Sequence, residues 1–193
     1  MKKTYYKKII ILFLEIIATI IIVFRISYVT KNAHHPQVNI VSQGDGAVYK
    51  GVEYIITDAV MWEYNDFYDE YKELDEYYID DYADECMMLV VEMELTVKDD
   101  GSGTFDYYMP IQYYYQDNGV DPFMFADMNP ALIDGGFCSG EHIFVPYEIY
   151  KVNATEKQWN EIEDMKTTYK IVLGNYPERN ELLITDIRRG VAE

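Results

Sequence analysis

Hydrophobic and polar positions change rhythm along this chain, and each change marks an element. Residues 9–24 are apolar except for Glu15 and Thr19. Extending the run to 29 gives 21 residues, about 31 Å of helix, which matches a hydrocarbon core of roughly 30 Å if Arg25 snorkels to its edge. The pattern predicts a transmembrane helix over 9–29, behind a basic tail at 1–8. Residues 30–37, which include His34-His35-Pro36, read as a polar linker.

From 38 to 189 the period becomes two, and one domain is predicted. Residues 38–41 form a short strand, and the turn Gly44-Asp45-Gly46 follows. Ala47-Val48-Tyr49 and a strand from Val52 flank Lys50-Gly51, a hairpin signal. The strongest strand is 87–97, whose second half alternates Val91, Met93, Leu95 and Val97 inward with Glu92, Glu94 and Thr96 outward. Residues 105–115 read as a strand that Pro110 confines to an edge or a bulge, and Asp117-Asn118-Gly119 as a turn. A short strand at 123–125, a loop over 126–140 and a strand from His142 come next. Thr155-Glu156-Lys157-Gln158 is a capping box, with Trp159, Ile162 and Met165 as the apolar stripe of a short helix. Residues 169–173 and 182–187 close the chain as two strands.

Residues 63–85 break the period of two. This stretch holds 11 acidic residues, six tyrosines and one lysine. Phe67, Tyr71, Leu74, Tyr78 and Tyr82 recur at helical spacing, so the expectation is an amphipathic helix on an insertion between strands. The fold class that follows is mainly β: an antiparallel β-sandwich with one or two short helices, preceded by the transmembrane helix.

Charge orients the chain. Lys2, Lys3, Lys7 and Lys8 precede the apolar run, which places the N-terminus in the cytoplasm and residues 38–189 outside it, at the cell membrane. No A-x-A-like cleavage site follows the run, and no cysteine of a lipoprotein type. Glu15 lies at mid-span, as a helix–helix contact or as a protonated side chain tolerated by its apolar neighbours. Six of the 16 Lys/Arg and one of the 34 Asp/Glu lie in the first 31 residues, which leaves 10 against 33 and a net charge of −23 beyond them. A field of that sign repels nucleic acid and anionic surfaces and favours basic partners.

Several of these signals, in this order, resemble a known family. They are the glycine-flanked hairpin before Val52-Glu53-Tyr54-Ile55, the strand Leu89-Val90-Val91-Glu92-Met93-Glu94-Leu95, and Ser139-Gly140-Glu141 before Ile143-Phe144-Val145-Pro146. Together they look like the telokin-like, immunoglobulin-related domains of unknown function on anchored or exported proteins of Gram-positive bacteria. That resemblance implies an immunoglobulin-like extracytoplasmic sandwich, and it supplies no catalytic residues. The insertion at 63–85 departs from its usual short connection, and antibody-type Cys…Trp…Cys spacing is absent.

No residue pattern identifies a reaction. There is no G-x-S-x-G, and His142 is the domain's sole histidine, four residues after Cys138. The reading is a non-enzymatic membrane-anchored module with no cofactor and a protein partner. Thirty aromatics, 20 of them tyrosine, exceed what one small core requires. Tyr71, Tyr78, Tyr82, Tyr108 and Tyr114 are the candidate interaction surface. Cys86 and Cys138 are either a disulfide or two separate thiols. The alternative function is cation binding or, behind it, a cell-envelope enzyme. Calcium would use Asp66, Asp69, Glu70 and Glu73 or Asp80, Asp81, Asp84 and Glu85, and copper would use Met124, Met128 and His142.

Overall fold

A computed structural model describes residues 2–32, 37–98, 108–114, 116–135, 139–174 and 177–192; side chains are described from 13 and 15 to 31 in the first helix and not at 133–135. The chain forms two compact units, 1–35 and 36–193. The first is one helix, α1 (Lys2–Asn32), which covers the apolar run and is continuous through Glu15. The Thr19 hydroxyl donates to the Glu15 carbonyl at 2.9 Å, a turn-back bond that leaves the helix intact. Among the described residues, no helix is long and apolar enough to cross a membrane.

The second unit is a two-layer β-sandwich. Its strands are β1 (Gln37–Val41), β2 (Gly46–Tyr49), β3 (Val52–Glu63), β4 (Cys86–Val97), β5 (Ile111–Tyr113), β6 (Gln116–Asn118), β7 (Glu141–Tyr150), β8 (Tyr169–Leu173), β9 (Glu178–Ile184) and β10 (Arg188–Arg189). One sheet runs β1-β9-β8-β5-β6. The other runs β10-β3-β4-β7, with β2 also on β3. The chain leaves β4 for the opposite sheet, makes β5 and β6 there, and returns as β7 beside β4, the crossing that locks a sandwich together. The β2–β3 hairpin turns on Lys50 and Gly51, both at positive φ (51° and 77°), as a two-residue primed turn requires.

The inward residues of both sheets make one core. Tyr54, Ile56, Leu89, Val91, Ile143 and Ile171 are all within 1% of complete burial. Tyr147 is buried among them, and its hydroxyl donates to the Met109 carbonyl at 2.8 Å. Helix α5 (Glu156–Glu163) closes one end. Its capping box forms as the sequence predicts, and Trp159 and Ile162 face the core.

Six expectations need correction. The sheets are not wholly antiparallel, because β1 runs parallel to β9 and β10 parallel to β3. The insertion at 63–85 is not one helix. It is α2 (Tyr64–Glu70) followed by 3₁₀ turns at Lys72–Tyr77 and Asp80–Tyr82. So many like charges at helical spacing repel along a regular helix, and short segments anchored by their rings avoid that. Residues 123–125 are helical within α3 (Pro122–Met128): Asp121 accepts from the Phe123 and Met124 amides, and Pro122 occupies the first turn. The expected loop beyond it begins with α4 (Pro130–Gly135), so short helices are more numerous than expected. Finally, Pro110 does not mark an edge. It precedes β5, which lies between β8 and β6, and its carbonyl accepts from Val172 at 3.0 Å; the expected turn at 117–119 is largely strand β6. Residues 99–107 and 115, which include four of the eleven positions of the expected strand at 105–115, fall outside the described residues.

Candidate functional site: an acidic, tyrosine-built lobe

The outer face of β3 and β4 carries a second core. Ordinary alternation leaves that face polar, but Val60 and Trp62 on β3 and Cys86, Met88 and Val90 on β4 are all buried there. The insertion covers them. Tyr64, Phe67 and Leu74 are fully buried and Tyr68 nearly so, with Tyr71, Tyr77, Tyr78 and Tyr82 half-buried around them. Met124 of α3 completes the cluster. The apolar stripe was legible as a set of inward positions, although no continuous helix carries it.

Ring packing holds this lobe. Tyr64 meets Tyr68 edge-on at 5.0 Å between centroids and Tyr78 at 5.4 Å, and Phe67 meets Tyr71 at 4.9 Å. Tyr71 also stands edge-on to Trp62 at 6.0 Å, and Tyr82 to Tyr150 at 5.3 Å. Such pairs contribute about 0.5–1.5 kcal/mol each beyond their buried area. The phenols then satisfy backbone groups that short turns leave open. The Tyr64 hydroxyl accepts from the Ile79 amide at 3.0 Å, and Tyr68 donates to the Tyr77 carbonyl at 3.3 Å. Tyr78 donates to Asn65 at 3.0 Å, and Tyr77 to Asp127 on α3 at 2.5 Å.

Chemically the lobe offers neutral donors under a negative rim. Burial, reinforced by the neighbouring Tyr64, holds the Tyr68 phenol well above the ordinary tyrosine range. The bond to Asp127 does the same for Tyr77, and desolvation with nearby Asp80 raises Tyr78. Asn65, Tyr68, Asp69, Asp75 and Tyr78 line an open groove whose two carboxylates are exposed.

The five candidate tyrosines do not form one surface. Tyr71, Tyr78 and Tyr82 are half-buried where they pack against the lobe, and Tyr78 also lines the groove. Tyr114 sits at the β5–β6 turn at φ +50°, and its hydroxyl donates to Glu161 at 2.7 Å and lies 3.0 Å from the Thr167 hydroxyl, so it braces α5. Tyr108, beside β5, is 68% exposed. Sequence reasoning missed Tyr64, Tyr68 and Trp62, the foundation of the lobe. The signal was the unbroken apolar run Cys86-Met87-Met88-Leu89-Val90-Val91, which only a strand covered on both faces carries.

The sequence leaves Cys86 and Cys138 as either a disulfide or two separate thiols. Cys86 is a free, buried thiol, and burial with nearby Glu148 pushes it up to about 12. Cys138 lies outside the described residues. Its neighbour Ser139 accepts from the Val97 amide, and Gly140 donates to Leu95 at 2.7 Å. Those contacts are at the far end of β4 from Cys86.

Among the described residues, no three His, Cys, Asp or Glu side chains converge as metal donors. The two calcium sets therefore do not gather. For copper, Met124 is buried in the lobe, Met128 packs against it, and His142 Nδ1 instead meets Glu92 at 2.7 Å.

Residues 42–180 match the family described as Domain of unknown function (DUF5028). The chain belongs to that family. The matched span runs from just after β1 into β9 and contains the whole lobe, so the lobe lies within the family's domain. No curated protein and no solved structure matches the chain.

Proposed function

We propose that this protein is a single-span, extracytoplasmic accessory module, not an enzyme, whose acidic lobe docks a basic segment of a protein partner. The observation that carries this reading is the groove of Asn65, Tyr68, Asp69, Asp75 and Tyr78, set in a domain of net charge −23. An arginine or lysine placed there meets two carboxylates and the tyrosine rings together. Charge then sets orientation and association rate, and a cation over a ring adds about 0.5–2 kcal/mol. The phenols stay neutral, so they supply hydrogen bonds without further charge.

The anchor rests on the sequence: four lysines before a 21-residue run at 9–29, which begins ahead of the described side chains of α1. The crossing from β4 to the opposite sheet and back supports placing the domain among the immunoglobulin-related, telokin-like sandwiches.

The docking test is a titration of the full chain, in detergent, with an arginine-rich peptide. Asp69→Asn with Asp75→Asn weakens binding about tenfold, equivalent to about 1.4 kcal/mol, and Glu156→Gln on α5 leaves it unchanged. Equal affinity for all three proteins overturns the docking reading. The topology test is separate: a C-terminal tag is cleaved by protease added to intact cells, and a protected tag removes the anchor reading.

A further inference from the structure

We infer that β1 is a dimerisation strand, which pairs antiparallel with β1 of a second copy of this chain about a two-fold axis through Asn39. The inference goes beyond the docking of a basic partner and uses a different face.

β1 is an edge strand with none of the usual protections. Its inner neighbour is β9, and no described strand lies on its other side. From 37 to 44 the chain has no charged residue and no proline, in a domain with 33 carboxylates. Val38 and Ile40 are 51% and 61% exposed. Natural edges carry charges, prolines, bulges or a covering element against strand addition. Three other described edges do so: β6 contains Asp117, β10 is Arg188-Arg189, and β7 contains Pro146 and is capped where Asn129 accepts from the Phe144 amide at 2.8 Å.

The backbone parity of β1 specifies the partner. Gln37 donates to the Pro177 carbonyl at 3.0 Å, in a parallel register that pairs Gln37 with Glu178. Alternation then directs the amides and carbonyls of Gln37, Asn39 and Val41 to β9. Those of Val38 and Ile40 point to the open side. An antiparallel mate centred on Asn39 sets Val38 opposite Ile40 of the second copy, and Ile40 opposite its Val38. Both are hydrogen-bonded pairs, so four bonds consume every outward backbone group of the two residues in both copies. The same register places the exposed apolar side chains of Val38 and Ile40 against each other on the outer face, where a cross-strand pair is favourable. Asn39, which donates to Asn180 at 3.1 Å on the inner face, meets its own symmetry mate. An isologous contact needs this self-complementarity, and a charge-free strand lets two strongly acidic domains approach.

Site-directed crosslinking of the full chain in detergent tests the register. In a background of Cys86→Ala and Cys138→Ser, Asn39→Cys sits at a non-hydrogen-bonded pair with Cα atoms about 4.5 Å apart, within disulfide range. Mild oxidation gives a covalent dimer at least tenfold faster than Val152→Cys, at a position 83% exposed on another part of the domain. Ile40→Pro removes an outward amide and no bond to β9, so sedimentation of this variant shows a monomer with an unchanged circular dichroism spectrum. If that variant unfolds, Ile40→Lys on the outer face gives the same readout. Equal crosslinking at 39 and 152, or a dimer that survives Ile40→Pro or Ile40→Lys, overturns the proposal, including the case in which α1 alone holds two copies together.

Discussion

Gly190 lies against the face of the Trp62 indole, where its amide donates to the Met61 carbonyl at 2.8 Å. A Cβ at 190 overlaps the ring atoms Cδ2, Cε2 and Cε3. Either the C-terminal segment lifts off β3 or the indole moves out of the lobe. Gly190→Ala therefore lowers stability by about 1–3 kcal/mol in denaturant titration, the range for overpacking. It also shifts tryptophan fluorescence to longer wavelength. A variant within 0.5 kcal/mol of the parent contradicts the docking of this segment on Trp62.

The lobe opens separately from the sandwich. Its interior is reached through a second, smaller cluster on the outer face of β3 and β4, while the main core lies on their inner face. Leu74→Ala leaves a cavity beneath the 3₁₀ turn and costs about 2–5 kcal/mol. Hydrogen exchange in this variant accelerates over 64–85 while the amides of β8 and β9 keep their protection. Uniform acceleration across both sheets contradicts two separable cores.

How much of this was legible depends on how local the signal is. The hairpin at Lys50-Gly51, the capping box at Thr155 and the alternation of Met93 and Leu95 are set by neighbours within a few residues, and each appears where the pattern places it. The lobe is not local. Phe67, Leu74 and Tyr78 announce an apolar face, but what they face is Trp62, Met88 and Val90, on the two strands that flank the insertion. Alternation also misleads where a cap is strong: Phe123-Met124-Phe125 has strand composition, and Asp121 with Pro122 turns it helical. The parallel pairings of β1 and β10 follow from sheet order, which no short window encodes. The groove of Asn65, Asp69 and Asp75 was hidden for the same reason, since it exists only once the chain has folded back on itself.

Cys86 is chemically silent in the native protein. Its thiol is 2% exposed and pushed up to about 12, so almost no thiolate exists at pH 8 and reagent access is blocked. In a Cys138→Ser variant, Ellman's reagent at pH 8 detects less than one-tenth of a thiol per chain before denaturant and one full thiol after it. Non-reducing mass analysis of the unsubstituted chain finds no intramolecular disulfide. Rapid native labelling of Cys86 contradicts the covered outer face of β4.

The last prediction concerns the ion cluster that joins β8 and β9. Glu181, 7% exposed, accepts from Lys170 at 2.9 Å and from Arg179 at 2.8 Å, and Arg179 donates onward to Gln112 at 2.6 Å. Burial works against the charged carboxylate, but the two cations reverse that, and its pKa lies below the ordinary value. An unfolded glutamate titrates near 4.3. Between that value and the lower folded one, the unfolded chain binds more protons, so stability falls as pH falls through this window. The contribution is complete above about 4.3 and absent below the folded value. Glu181→Gln thus loses about 1.5–3 kcal/mol at pH 7, the range for hydrogen bonds to charged groups. The gap between parent and variant stays constant from pH 7 to 5 and narrows below about 4.3. The remaining carboxylates titrate in both proteins and largely cancel in the difference. A gap that holds its pH 7 size down to pH 3 shows that shape and packing, not the charge of Glu181, bind β8 to β9 at this point.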